Sequence, residues 1–391
     1  MKVHTIFDYP LFALGFRAFF GLAGFAALLL IVLWNAIFKG NLGISNYFTG
    51  SLWHAHEMLL GYAVAVIAGF LLTAVKNWTD KATLANGQLF GLCLLWLYGR
   101  ILPFYAGLLP NELIALVDFL FLPVLIYHIA KPILQAKKYT HLVFVGLLLL
   151  MALANALIHA EMLGKLPQSA WLGVQLVIAT MVVTILIVAG RVFPFFTERA
   201  LPGTLALRNP MLDGLSIASA VLVFTLQMAG ITGFFLAVAA LLAVAANTAR
   251  ISGWYVRRVW YVPLLWVLYA GYAWIILGFL LQGFYAASLV NPSLAQHAFT
   301  VGGIGVLTLG MMARVSLGHT GRALKACNAM ALAFVLINFA ALARVILPVF
   351  CPKWYNLFIY MATLSWLAAF ALFIFVYLPM LTSARVDGQE G

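Results

Sequence analysis

Apolar residues run through this chain in blocks of roughly twenty, the length a helix needs to cross a hydrocarbon core. The blocks fall at 13–38, 52–75, 83–101, 112–130, 141–163, 170–193, 212–229, 231–249, 259–284, 294–316, 324–348 and 356–382. Short polar, glycine or proline breaks separate them. No run shows the ~10-residue alternation of apolar and polar positions that marks a membrane barrel strand. The pattern therefore predicts an all-α polytopic membrane protein with about twelve transmembrane helices in one bundle. The pair around Gly230–Gly233 reads either as two short spans or as one irregular segment.

Composition sharpens this picture. The chain is 65% hydrophobic and 8% charged, whereas soluble domains carry about a quarter charged residues. The spans consume most of the length, so residues 1–391 are expected to form a single transmembrane domain. The amino end holds Lys2, His4 and Asp8 with no small-residue cleavage site, so the first span is expected to stay as an anchor.

Charge then sets an orientation. The net charge is +12, which alone would permit a nucleic-acid partner. Its distribution argues for topology instead. With the amino terminus inside, only Lys39, Arg100, Lys165, Arg344 and Lys353 of the 22 basic residues fall on the outer side. The positive-inside rule thus expects both termini in the cytoplasm, with the lipid bilayer as the partner of the basic excess and no nucleic acid.

Cys93, Cys327 and Cys351 are far apart, and no C-x-x-C or C-x-x-C-H occurs. That excludes covalently attached c-type haem and a zinc-finger framework. No phosphate-binding glycine loop or nucleophile elbow is present, which argues against ATP-driven transport by this chain alone.

Eight histidines carry what chemistry remains. On the expected topology His54, His56, His159 and His297 share one depth near the outer face, while His128, His141 and His319 lie at the inner face. His297 and His319 sit on one span about 33 Å apart by helical rise, so they should not serve one metal. Imidazole is a ligand for copper, iron and zinc, and intramembrane ionisable groups are costly and usually functional. The four outer histidines are therefore expected to form a metal pocket. Hydrogen bonding between helices is the structural alternative for each one taken singly.

Local detail adds to this. The segment Trp53-His54-Ala55-His56-Glu57-Met58 supplies a carboxylate and a thioether beside two imidazoles. Residues i and i+2 point about 200° apart on a regular helix, so either the chain is irregular there or the two histidines face different cofactors. Asn155 lies one turn before His159 and is placed to orient it. Below His297, Gly302, Gly303 and Gly305 form either a groove for a flat macrocycle or a close helix contact. At the inner face Arg191, Arg314, His319 and Arg322 are candidates for propionates or other anions, with topology-setting charge as the alternative.

The motifs Leu14-Gly15-Phe16-Arg17, Trp53 to Met58, Ala68 to Val75 followed by Asn77-Trp78, Gly190 to Thr197, and Met311 to Arg322 occur in order along the whole chain. Together they resemble the NnrS proteins, bacterial inner-membrane proteins of the nitric oxide response. Ala18 and Lys76 stand where the family wording has proline; neither residue type is a ligand. The resemblance implies haem b and copper as cofactors. It also implies nitric oxide or a related small molecule as partner, and an outside electron donor for any redox role. Arg17 joins the candidate cofactor contacts through its motif, while the residues themselves single out His54 and His297 for haem, His297 for the glycine-lined face beneath it, and His56 with the thioether of Met58 for copper. The rival expectation is a secondary transporter or a copper-handling protein without redox catalysis, although no convincing internal repeat supports it.

Overall fold

The structure, a computed structural model, describes residues 6–40 and 47–389. Lys2 and His4 lie outside the described residues. Twelve helices are long and apolar enough to cross a membrane: α1 (Gly15–Phe38), α2 (Gly50–Thr79), α3 (Asn86–Tyr105), α4 (Asn111–Gln135), α5 (Tyr139–Met162), α6 (Ser169–Ala200), α7 (Pro210–Met228), α8 (Phe234–Ser252), α9 (Pro263–Ala286), α10 (Pro292–His319), α11 (Asn328–Phe350) and α12 (Pro352–Thr382). Among the described residues there is no strand, only an isolated bridge between Ala106 and Leu109. The chain is an all-α, multi-pass membrane protein.

The segment around Gly230 resolves into two helices. Gly230 and Gly233 adopt φ values of +70° and +69°, a region that residues with a Cβ rarely enter, and the chain reverses between them. Elsewhere helices outrun the apolar blocks. α4 continues through Pro123 and Pro132 to Gln135, and α6 through Pro194 to Ala200. Each proline removes one backbone donor, and neighbouring helices can make up that loss within a membrane protein.

Three helices contain π-helical turns: Glu57–Ala63 in α2, Ala298–Gly305 in α10 and Leu342–Ile346 in α11. The first follows His56 directly and the second follows His297 directly. A π turn inserts a residue into the α ladder and re-aims the side chains around it, and such turns concentrate at functional sites.

The chain divides into two compact units. One comprises Met1–Val177, Val315–Ala323 and Phe373–Gly391; the other comprises Ile178–Arg314 and Leu324–Leu372. In the first, α1 and α2 pack closely through glycine. A Cβ on Gly69 would lie 3.0 Å from atoms of Phe19 and Phe20. In the second, α9 and α10 approach in the same way, with Phe299 filling the space over Gly278 and Leu307 that over Gly271. Small residues let backbones approach where apolar burial gives no driving force between helices. Large apolar side chains such as Leu149, Leu153, Leu241 and Leu242 point outward, as lipid contact requires.

Candidate metal centre

Their i, i+2 spacing on the regular first turns of α2 sets His54 and His56 apart. His54 stays half-buried and stacks on Trp34 of α1, with ring centroids 4.5 Å apart and 11° between planes. His56 turns inward, is fully buried, and stacks on Phe48 at 4.1 Å. Of the two readings left open, facing different surroundings describes the pair, and the irregular backbone begins one residue later, at Glu57.

Around His56 the first unit gathers an ionisable cluster from four helices. The imidazole Nδ1 of His56 lies 3.1 Å from Glu57 Oε1. Its Nε2 lies 3.2 Å from both Asp118 Oδ2 and Asn155 Oδ1. His159 of α5 brings Nε2 to 2.8 Å from the same Asp118 Oδ2. Asn155 Nδ2 donates to that oxygen too, at 2.9 Å. Arg100 of α3 donates Nη1 to Glu57 Oε1 at 2.9 Å, and its Nη2 pairs with Asp118 Oδ1. His56, Glu57, Asp118, Asn155 and His159 are all buried.

Local sequence makes room for these contacts. A Cβ on Gly99 would sit 2.9 Å from Asp118 Oδ1, and one on Gly61 would sit 3.1 Å from Arg100 Nη1. Trp96 of α3 also anchors to the π turn, its Nε1 donating to Gly61 O at 3.1 Å. Tyr47 closes the side toward α5, its backbone N–H donating to Pro103 O and its hydroxyl lying 3.3 Å from His159 Nδ1. Burial, with the charge of Glu112 second, pushes the Tyr47 hydroxyl above the usual phenol range.

The donor set fits a metal ion. His56, Asp118 and His159 each offer one ligand atom, and these atoms lie within 4.8 Å of one another. Both imidazoles present Nε2 to the centre while Nδ1 meets an outer partner, Glu57 or Tyr47, the arrangement that fixes tautomer and ring in metal sites. If Nδ1 of His56 donates to Glu57, its Nε2 lone pair faces two acceptor oxygens. Such a contact calls for a cation between them, a proton or a metal. Two carboxylates against one guanidinium also leave the cluster one positive charge short of neutrality when both histidines are neutral. Two imidazoles and a carboxylate suit copper(II), iron(II) or zinc better than copper(I). Met58, expected as a soft ligand, is half-buried on the π turn.

A family model for the NnrS protein matches residues 10–385. The chain belongs to the NnrS family. Comparison with curated proteins returns no match. Among the residues expected to serve cofactors in this NnrS protein, the structure brings together His56 and His159, ring centroids 5.8 Å apart. His297 belongs to the second unit, where its Nδ1 lies 2.7 Å from the Ser293 carbonyl and Arg344 Nη2 donates to Ser293 Oγ at 3.1 Å.

The glycines below His297 do not form a groove. A Cβ on Gly302 would lie 2.6 Å from Trp274 and one on Gly305 2.7 Å from Trp366, while Ile275 crowds Gly303. These side chains already fill the face, so a porphyrin does not fit there and the close-contact reading describes the segment. Arg314 lies over the Phe196 ring at 3.8 Å, and Arg191 is exposed; both belong to the second unit. Arg17, His319 and Arg322 belong to the first.

Sequence reasoning passed over Asp118 and Arg100. Arg100 had been counted as topology-setting charge. The signal for Asp118 was present, a lone acid within the apolar run Leu116-Val117-Asp118-Phe119-Leu120, the kind of residue membranes tolerate for function. Asn155 was singled out as a partner of His159, and its actual partners are His56 and Asp118.

Proposed function

We propose that this chain is a metal-binding inner-membrane protein of the nitric oxide response, with copper held by His56, Asp118 and His159. Membership of the NnrS family supports the nitric oxide setting. The observation that carries the metal assignment is the convergence of two Nε2 atoms and one carboxylate oxygen in a buried cluster short of one positive charge. Copper bound there would supply a one-electron couple and an open position for nitric oxide or a nitrosated thiol. Glu57 holds the His56 ring, and Tyr47 holds a proton at His159 Nδ1. Arg100 pairs with both carboxylates, and Phe48 covers the His56 face against water. Haem remains part of the proposal through the family. Since the glycine face under His297 does not accept a porphyrin, no step is routed through haem.

Metal analysis of purified protein tests the reading. His56→Ala, His159→Ala and Asp118→Asn should each lower bound copper at least tenfold in protein that stays monodisperse. The loss is expected because removing a ligand or its orienting partner costs ~10–100-fold in affinity. Wild-type copper in all three variants would sink the assignment and leave the cluster as a proton relay, the role that a secondary transporter would need.

A further inference from the structure

A second polar cluster lies in the first unit, where α1 begins and α10 and α12 end. Arg17 is fully buried there. Its Nη1 donates to three backbone carbonyls at the end of α12: Met380 at 3.3 Å, Leu381 at 3.0 Å and Ser383 at 2.7 Å. This caps the last helix and accounts for one nitrogen. The other two, Nε and Nη2, are buried without a hydrogen-bond partner among the described residues. They form one edge of the guanidinium, the edge that grips two oxygens of a single anion in parallel.

The surroundings share that character. Ser316 Oγ on α10 is likewise buried without a partner. It lies three residues before His319 and so on the same helix face, and the His319 ring rests against Phe16 at 5.6 Å. Arg322 and Arg385 are close enough for their charges to act on Arg17, and those of Arg385, Arg17 and Lys76 act on His319. Asp387 neutralises Arg385 through contacts of 2.6 and 2.9 Å, and Arg385 Nη1 reaches the His319 carbonyl at 3.4 Å. Arg17, Lys76 and Arg322 remain as a positive surplus. A helix cap would need neither the second guanidinium edge nor this excess.

We propose that this end of the first unit binds a phosphate-bearing anion, gripped by the Nε/Nη2 edge of Arg17 and by Ser316 Oγ, with Arg322 and Lys76 supplying the surrounding charge. A phosphate offers several acceptor oxygens to donors arriving from different helices, which a single halide does not. The phosphate belongs either to an anionic lipid headgroup or to a free ion. The site is independent of the metal centre, and its test reads binding alone.

Two arms distinguish the sources in full-length protein. Inorganic phosphate is titrated by calorimetry into phosphatidylcholine nanodiscs. In parallel, native mass spectrometry measures retention of phosphatidylglycerol after release from mixed phosphatidylglycerol/phosphatidylcholine discs. Saturable binding in either arm, weakened about tenfold or more by Ser316→Ala, Arg322→Gln and Arg17→Lys, upholds the site, and the responding arm names the source. Arg17→Lys keeps the charge and loses the two-donor edge; should it fail to fold, the other two variants carry the comparison. Absence of saturable binding in both arms overturns the proposal, as does equal binding by wild type and every folded variant.

Discussion

At Asp118 a carboxylate in the middle of an apolar helix meets an arginine, two imidazoles and a carboxamide, and the cost of ionising it there falls largely on Arg100. That guanidinium serves Glu57 as well, so one cation holds two buried acids. Removing one partner of a buried ion pair is strongly destabilising, by about 3–5 kcal/mol, because the other charge is left uncompensated. Arg100→Met should therefore lower the thermal unfolding midpoint of metal-free protein clearly. Arg100→Met combined with Glu57→Gln and Asp118→Asn should recover much of that loss. Equal midpoints for wild type and the single variant would show that the two carboxyls are protonated and need no cation. The same chemistry separates His56 from His54. Both stack on an aromatic ring, and His56 has two carboxylates within reach of its nitrogens.

Among the helices, α2 and α3 form the cradle. His56 ends the regular part of α2 and Glu57 opens its π turn, and Gly99 permits the Asp118 carboxylate to lie against α3. Gly99→Ala would add a methyl 2.9 Å from Asp118 Oδ1 and 3.3 Å from its Cα. The carboxylate cannot absorb this alone, since backbone is also in the way. We expect a stability loss of about 1–3 kcal/mol from overpacking. Bound copper should fall as well, although every ligand is still present. The check is metal content beside unfolding temperature. Full copper at an unchanged midpoint would mean that α3 and α4 simply move apart. By contrast, the glycines of α10 serve packing against α9 and α12 side chains in the second unit, where Trp274 and Trp366 occupy the space a Cβ would take.

Across the whole molecule, charge asymmetry predicts orientation. Both termini are expected on the cytoplasmic side, because basic residues concentrate in the loops on that side of the spans. Reporter fusions active only in the periplasm should be silent at either end. A signal from one end would reverse the assignment and, with it, the depth at which the metal centre sits. The two units each carry one histidine that directly precedes a π turn, His56 in the first and His297 in the second.

The apolar blocks were enough to determine the helices, their number and the membrane environment, because burial of about twenty consecutive residues is a property of the segment alone. The segment at Gly230–Gly233 was legible only as a choice between two spans and one irregular segment, and the positive φ of both glycines decides for two. His56 and His159 were legible as candidates because an imidazole in an apolar run is conspicuous wherever it lands. What joins them was not legible. Asp118 and Arg100 lie on other helices, and sequence spacing carries no information about which faces of separate spans meet. The helix ends drifted for a different reason, since a proline stops an isolated helix but not one whose lost hydrogen bond neighbours can replace. The glycines under His297 show the same limit: an open groove and a tight contact share one pattern. Only the arrival of Trp274, Ile275 and Trp366 from other helices decides between them.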